Sequence, residues 1–74
     1  MNYSLHIETN PKIMLGKPVI KGTRLTVELI VRKLGEGASF ADLMQMYEGL
    51  SLEQIQSCLL YASAVISNEE VIEA

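Results

Sequence analysis

The sequence predicts a mainly α-helical domain, in which a three-helix, helix-turn-helix-like core follows a short N-terminal β segment. From residue 26 onward, apolar residues recur every three to four positions, the period of a helix with one buried face. Before that point, apolar and polar residues alternate between glycines and prolines, as in short extended segments. We therefore divide a single domain into an extended lead-in with a basic loop (1–25), a three-helix core (26–67) and a short acidic tail (68–74).

The size and composition of the chain predict that it associates with itself. A chain of 74 residues buries only about 60% of its unfolded surface on folding, yet 49% of its residues are hydrophobic. One cysteine cannot form an internal disulfide, and no Cys/His cluster has zinc spacing, so we expect no metal or cofactor. We therefore expect a homodimer, whose interface would bury the excess hydrophobic side chains. Leu29 and Leu60 are candidate contacts because they lie off the apolar stripes of their helices.

The lead-in contains two candidate strands. Residues 5–9 alternate in polarity and end at the turn pair Asn10-Pro11. Val19 and Ile20 are β-branched and follow a proline, which disfavours helix before it. Gly22 can adopt the positive φ of a turn. A hairpin or a pair of short bridges is expected here.

The first helix is predicted to begin at Thr26 and to end at Gly35 and Gly37. Thr26 is an N-cap residue, and Glu28 lies in the first turn, where the helix dipole favours an acid. The buried face is expected to consist of residues spaced by three and four positions: Val27, Ile30, Val31 and Leu34.

Two capping boxes, Ser39 with Asp42 and Ser51 with Gln54, predict the starts of the second and third helices. The expected buried face of the second helix is Phe40, Leu43, Met44 and Tyr47. That of the third is Leu52, Ile55, Leu59, Ala62 and Ile66, widened by Cys58 and Val65. Gly49 lies between the two helices, as a helix-turn-helix connection requires, although any compact three-helix domain needs a similar turn. Asn68 is expected to end the third helix.

Charge is divided sharply along the chain. Residues 1–33 hold all six Lys and Arg residues against two glutamates, whereas residues 34–74 hold seven carboxylates and no base. This asymmetry indicates either a basic face for one partner and an acidic face for another, or attraction between parts of the fold itself, and we weigh the two equally.

Residues 8–11 and 15–27 are similar to the hallmark of a small bacterial family, the domain-of-unknown-function family numbered 433. The second stretch reads G-K-P-x-I-x-G-T-R-x-x-V, and the similarity continues through residues 37–43, 47–51 and 55–62. The resemblance implies a helix-turn-helix-like fold and a role as a VapB-type antitoxin, often paired with a PIN-like ribonuclease toxin. One departure is the tail, which is short and acidic. It is therefore poorly suited to entering the acidic, metal-binding site of such a toxin.

The candidate DNA-binding residues are Lys17, Lys21, Thr23, Arg24, Gln54 and Gln56. Lys and Arg side chains supply phosphate contacts, and Gln can read adenine in the major groove. We favour a phosphate contact for Lys21 and a turn-forming role for Thr23. For Arg24 we favour a structural role, in which its guanidinium donates hydrogen bonds to carboxylates or carbonyls of its own fold. On the third helix, Gln54 and Gln56, with Glu53 and Ser57, are expected to face away from the apolar stripe.

Enzymatic and membrane functions are disfavoured. His6 is the only histidine, Cys58 lies on an expected buried face, and no carboxylate pair is placed for acid–base chemistry. The N-terminus lacks the features of a signal peptide and no segment is apolar for long enough to span a bilayer, so we expect a cytoplasmic protein.

The leading hypothesis is a small antitoxin-like DNA-binding regulator that could also neutralise a PIN-like ribonuclease toxin. The alternative is a dimeric protein-interaction module without DNA binding.

Overall fold

The protein folds as predicted into a mainly helical domain with a short N-terminal β segment. The structure, a computed structural model, describes residues 3–69. These residues form strands β1 (Ile7–Glu8) and β2 (Val19–Ile20), followed by helices α1 (Val27–Gly35), α2 (Phe40–Met46) and α3 (Leu52–Glu69). Single turns of 3-10 helix at Tyr3–Leu5 and Met14–Gly16 lie before β1 and between the strands.

The two strands pair antiparallel and connect the lead-in to the helices. Ile7 lies opposite Ile20 in the register, and Glu8 lies opposite Val19. Val19 also forms an isolated bridge with Thr26, the residue that begins α1. The expected hairpin or pair of bridges is thus confirmed, and β2 lies between β1 and the start of α1.

The turn at Met14–Gly16 is strained. Met14 and Leu15 have φ of 50° and 58°, in the left-handed region that costs a residue with a Cβ roughly 1–2 kcal/mol. Two backbone hydrogen bonds, from Gly16 N to Ile13 O and from Lys17 N to Met14 O, close the turn. The turn leaves Leu15 94% exposed.

Side-chain caps define the helix starts as expected. The Thr26 hydroxyl accepts a hydrogen bond from Leu29 N at 3.0 Å and begins α1. Ser39 and Asp42 form a reciprocal capping box on α2, and Ser51 and Gln54 form one on α3. Between α2 and α3, Gly49 adopts φ of 88°, a conformation that disfavours any side chain.

The core lies where β2 and the three helices meet. Its fully buried side chains are Val19, Ile20, Ile30, Leu43, Ile55, Ser57 and Cys58. Tyr3 contacts Tyr61 of α3 edge to face, with ring centroids 5.6 Å apart, and this contact joins the N-terminal turn to the last helix.

On α2 and α3 the structure buries fewer apolar residues than the sequence pattern predicts. Met44 on α2 and four residues on α3, namely Leu52, Leu59, Val65 and Ile66, were expected to be buried but are exposed. A mismatch of helix lengths contributes on α3, but it does not explain the exposure of Met44, which lies on the seven-residue helix α2. With 18 residues, α3 spans about 27 Å, whereas α1 with 9 residues spans about 14 Å and cannot cover it.

The end predicted for the third helix is also wrong. Asn68 does not stop α3, which continues through Glu69. The rest of the predicted acidic tail, residues 70–74, lies outside the described residues.

Candidate functional site

A tight turn after β2 presents the basic residues Lys21 and Arg24. Gly22 has φ of 79°. The Thr23 hydroxyl donates to Ile20 O at 2.8 Å and accepts from Leu25 N at 3.0 Å. Because these two bonds occupy the hydroxyl, Thr23 is a turn-forming residue, as the sequence favours, and is a poor candidate for contact with DNA.

Arg24 is exposed, and no hydrogen bond or ion pair holds it among residues 3–69. Among residues 3–69 the structure shows no partner that would support the structural role predicted for Arg24, and that role stays a prediction. Lys21 is also exposed, and its side chain has no ion-pair partner among those residues. Both cations are accessible to an anionic partner.

Lys17, a third candidate, makes a local contact. Its ammonium donates a hydrogen bond to Glu28 Oε1 on α1 at 3.1 Å, and both side chains are exposed. This hydrogen bond, together with the charge of Lys17, holds the pKa of the Glu28 carboxyl below its usual value. The charge of Lys17 is therefore partly compensated, which makes it a weaker phosphate ligand than Lys21 or Arg24.

The glutamines proposed to read bases are poorly placed for that role. Gln54 accepts a hydrogen bond from Ser51 N at 2.9 Å through its side-chain oxygen, and it is half-buried, as is Gln56. Ser57, expected to face away from the stripe, is fully buried, so that expectation is wrong. Residues 34–69 carry no Lys or Arg, and the exposed Glu53 would repel phosphate in this region.

A second candidate site is an open apolar groove between α1 and the C-terminal half of α3. Its volume is about 400 Å³. The lining residues are Pro18, Val27, Glu28, Val31, Arg32, Tyr61, Ala62, Val65 and Ile66, so most of the lining is carbon. We call this feature the α1–α3 groove. It lies where the apolar stripe of α3 continues beyond the buried core.

Sequence reasoning missed this groove because it assigned Val31, Val65 and Ile66 to the core. One signal could have revealed it: the third helix was expected to be about sixteen residues long and the first only about ten. The shorter helix cannot cover the apolar stripe of the longer helix along its whole length, so part of that stripe has to be exposed.

The structure offers little for metal or nucleophile chemistry in its described part. Residues 3–69 hold no cluster of three His, Cys, Asp or Glu side chains that could bind a metal ion. Cys58 is fully buried, and burial raises the pKa of its thiol to about 11, so it is protonated at neutral pH. No helix in this part of the chain is long and apolar enough to cross a membrane.

Comparisons with known proteins identify the same family as the hallmark residues around the basic turn. A family model described as "Protein of unknown function (DUF433)" matches residues 7–62. The fold is similar to the 2.00 Å crystal structure of a DUF433 member protein from Anabaena variabilis ATCC 29413, with a TM-score of 0.78 and 26% sequence identity. The match covers 84% of this chain and 61% of that one, so this chain spans less than two thirds of its structural relative. No curated protein matches it significantly. The family match includes β1, β2, α1, α2 and the first part of α3, and the chain belongs to the DUF433 family.

Proposed function

We propose that this protein is a non-enzymatic interaction module that binds a partner polypeptide in the α1–α3 groove. The observation that carries the proposal is the groove itself, an apolar concavity of about 400 Å³ on the surface of a very small domain. Exposed apolar surface costs about 25 cal/mol per Å² relative to its burial, so a partner that fills the groove gains affinity from it. Contiguous exposed apolar patches commonly mark interaction sites.

The VapB-type antitoxin role that the family resemblance implies suggests the class of partner, a PIN-like ribonuclease. The acidic residues at the C-terminal end of the chain, Glu69, Glu70 and Glu73, are poorly suited to an acidic metal-binding site. The α1–α3 groove is an alternative surface for such a partner. Among its lining residues, Glu28 is already hydrogen-bonded to Lys17, whereas Arg32 is exposed and can pair with a carboxylate of the partner.

The test is the affinity for a PIN-like nuclease encoded by a neighbouring reading frame, measured by calorimetry with purified proteins. Val65→Glu should weaken binding at least about 30-fold, because it places a charge against the apolar floor of the groove. Leu60→Glu is the matched control. Leu60 and Val65 are 41% and 40% exposed on the same helix but lie about 140° apart around its axis.

The two variants separate the possible results. Equal weakening by both would show that the groove is not the binding surface. Absence of binding by the wild-type protein would show that the partner class is wrong.

DNA binding is a second candidate function, supported by Lys21 and Arg24 beside the glycine turn, which are exposed and have no ion-pair partner among residues 3–69. Such contacts would engage phosphates and would not depend on base sequence. If the protein binds DNA, the basic turn should account for the salt dependence of affinity, since α2 and α3 carry no base.

A salt titration of DNA binding tests this candidate. Lys21→Ala/Arg24→Ala should lower the slope of log affinity against log salt by about 0.9 for each phosphate that the variant no longer neutralises. Lys17→Ala should change the slope less, because Glu28 already compensates Lys17. The melting temperature of the double variant should match that of wild type, because neither side chain is bonded to another part of the described fold. An unchanged slope, or no binding by wild type at low salt, would remove this candidate.

A further inference from the structure

Residues 14–16 form a left-handed turn that displays an almost fully exposed leucine. Met14, Leu15 and Gly16 have consecutive positive φ values of 50°, 58° and 84°. Glycine adopts this region freely, whereas a Cβ crowds the following carbonyl oxygen. The turn therefore keeps two side chains at positions where glycine would cost the folded state less. We call residues 14–16 the left-handed turn.

The leucine of the left-handed turn contributes little to its own fold. Leu15 is 94% exposed, so almost none of its apolar surface is removed from water. The hydrogen bonds from Gly16 N and Lys17 N that close the turn join backbone atoms and need no side chain. A strained residue whose side chain adds almost nothing to the described fold points to a use outside that fold.

The left-handed turn lies next to the α1–α3 groove. Pro18, two residues after Gly16, is one of the residues that line the groove. Val27 N donates a hydrogen bond to Pro18 O at 2.9 Å. Lys17 Nζ donates to Glu28 Oε1 at 3.1 Å. These bonds fix the C-terminal side of the turn to the first turn of α1, which forms one wall of the groove. A partner that fills the groove is therefore close enough to contact the turn as well.

Charge around the turn and the groove favours an acidic partner surface. Residues 9–18 contain Lys12 and Lys17 but no carboxylate. Lys12 is exposed and has no ion-pair partner among residues 3–69. Arg32, on the groove, is also exposed, whereas the groove carboxylate Glu28 is compensated by Lys17. An apolar side chain between accessible cations is complementary to an apolar pocket bordered by carboxylates.

We propose that Leu15 is a second anchor for the polypeptide that fills the α1–α3 groove, and that it enters an apolar pocket bordered by carboxylates on that polypeptide. This inference rests on the proposed function and adds to it the left-handed turn and the chemistry of the partner surface. The turn holds the leucine in place before the partner arrives, so less conformational freedom is lost on binding. Burial of the leucine supplies the affinity.

Replacing the leucine separates binding from folding. Glycine and asparagine both suit a positive φ, and neither replacement removes buried apolar surface. Leu15→Gly should raise the melting temperature by about 2–6 °C, because relief of strain exceeds the added freedom of the unfolded chain. Leu15→Gly and Leu15→Asn should each weaken binding of the PIN-like nuclease at least about 10-fold in calorimetry. Met46→Ala removes a 49% exposed side chain from α2 and should leave the affinity unchanged.

A pair of charge variants tests the acidic partner surface. Lys12→Gln and Gln45→Glu each lower the net charge by one, and both residues are exposed. Lys12→Gln should weaken nuclease binding about 3-fold, as expected for an exposed ion pair, and Gln45→Glu on α2 should weaken it less. Equal weakening by the two variants would show that only the net charge matters, and would contradict carboxylates at the turn.

The leucine variants can also contradict the proposal directly. An unchanged nuclease affinity in Leu15→Gly would reject the anchor, and a decrease in both melting temperature and affinity would show that Leu15 serves its own fold. Dissociation of a wild-type dimer by Leu15→Gly in sedimentation, with nuclease binding unchanged, would show that a second copy covers the leucine. Weakening by Val65→Glu but not by Leu15→Gly would reject the anchor and keep the groove. Absence of nuclease binding by wild type would reject both proposals.

Discussion

Replacing Leu43 with alanine is expected to lower the free energy of unfolding by about 3 kcal/mol. Leu43 is the one fully buried side chain of α2 and belongs to the core cluster that joins α2 to α1, α3 and the strands. Leucine-to-alanine changes at such sites cost about 2–5 kcal/mol, from reduced apolar burial and from the cavity left behind. A domain of this size has a total stability of roughly 4–11 kcal/mol, so the substitution should remove about a quarter to three quarters of it.

The neighbouring residue supplies the control for this experiment. Met44→Ala removes a side chain of similar size that the structure places on the surface, and it should change stability by less than about 1 kcal/mol. Urea unfolding followed by circular dichroism measures both variants. The sequence pattern predicts that both residues are buried, whereas the structure buries only Leu43. Equal destabilisation by the two variants would therefore mean that Met44 is buried, contrary to the structure.

Stability is expected to fall above pH 9 because of the buried thiol of Cys58. Burial raises the pKa of this thiol from 9.0 to about 11. Between these two values the unfolded chain has released the proton and the folded chain retains it. The stabilising difference is complete below pH 9 and disappears as the pH rises towards 11. A shift of this size corresponds to about 3 kcal/mol of unfolding free energy.

The quantity to compare is the change in unfolding free energy with pH in wild type and in Cys58→Ala. The comparison is needed because Lys and Tyr side chains, which both proteins share, also titrate in this range. Urea unfolding of wild type and Cys58→Ala at pH 8 and pH 10.5 isolates the thiol. Cys58→Ala should be less stable than wild type at pH 8, owing to its cavity, and should lose less stability on going to pH 10.5. An identical decrease in the two proteins would mean that the thiolate is not excluded from the folded core.

Local features of the fold were predictable because local chemistry decides them. The Thr26 cap, the two capping boxes and the turn at Gly49 all appear where the sequence placed them. Each depends on residues within about four positions of one another, where hydrogen-bonding distances follow directly from helix geometry. The left-handed conformations of Met14 and Leu15 had no such signal, because neither residue type favours positive φ.

The candidate sites were only partly predictable. The sequence identified the basic turn and its glycine, but it did not show that Arg24 lacks a partner within the described chain. Whether a guanidinium finds a carboxylate depends on which elements the fold brings near it, and no short-range pattern encodes that. Lys17 illustrates the converse, since its partner Glu28 lies eleven residues away across the junction of loop and helix.

The sequence by itself determined the class of fold, the places where helices begin and the concentration of positive charge in the first half of the chain. The tertiary structure alone decided which apolar residues form the core. Helical periodicity shows which side of a helix is apolar, but burial requires a second element long enough to lie against that side. In this protein α3 is longer than α1 and α2, so Ile55 and Cys58 are buried whereas Val65 and Ile66, on the same predicted stripe, are exposed and line the α1–α3 groove.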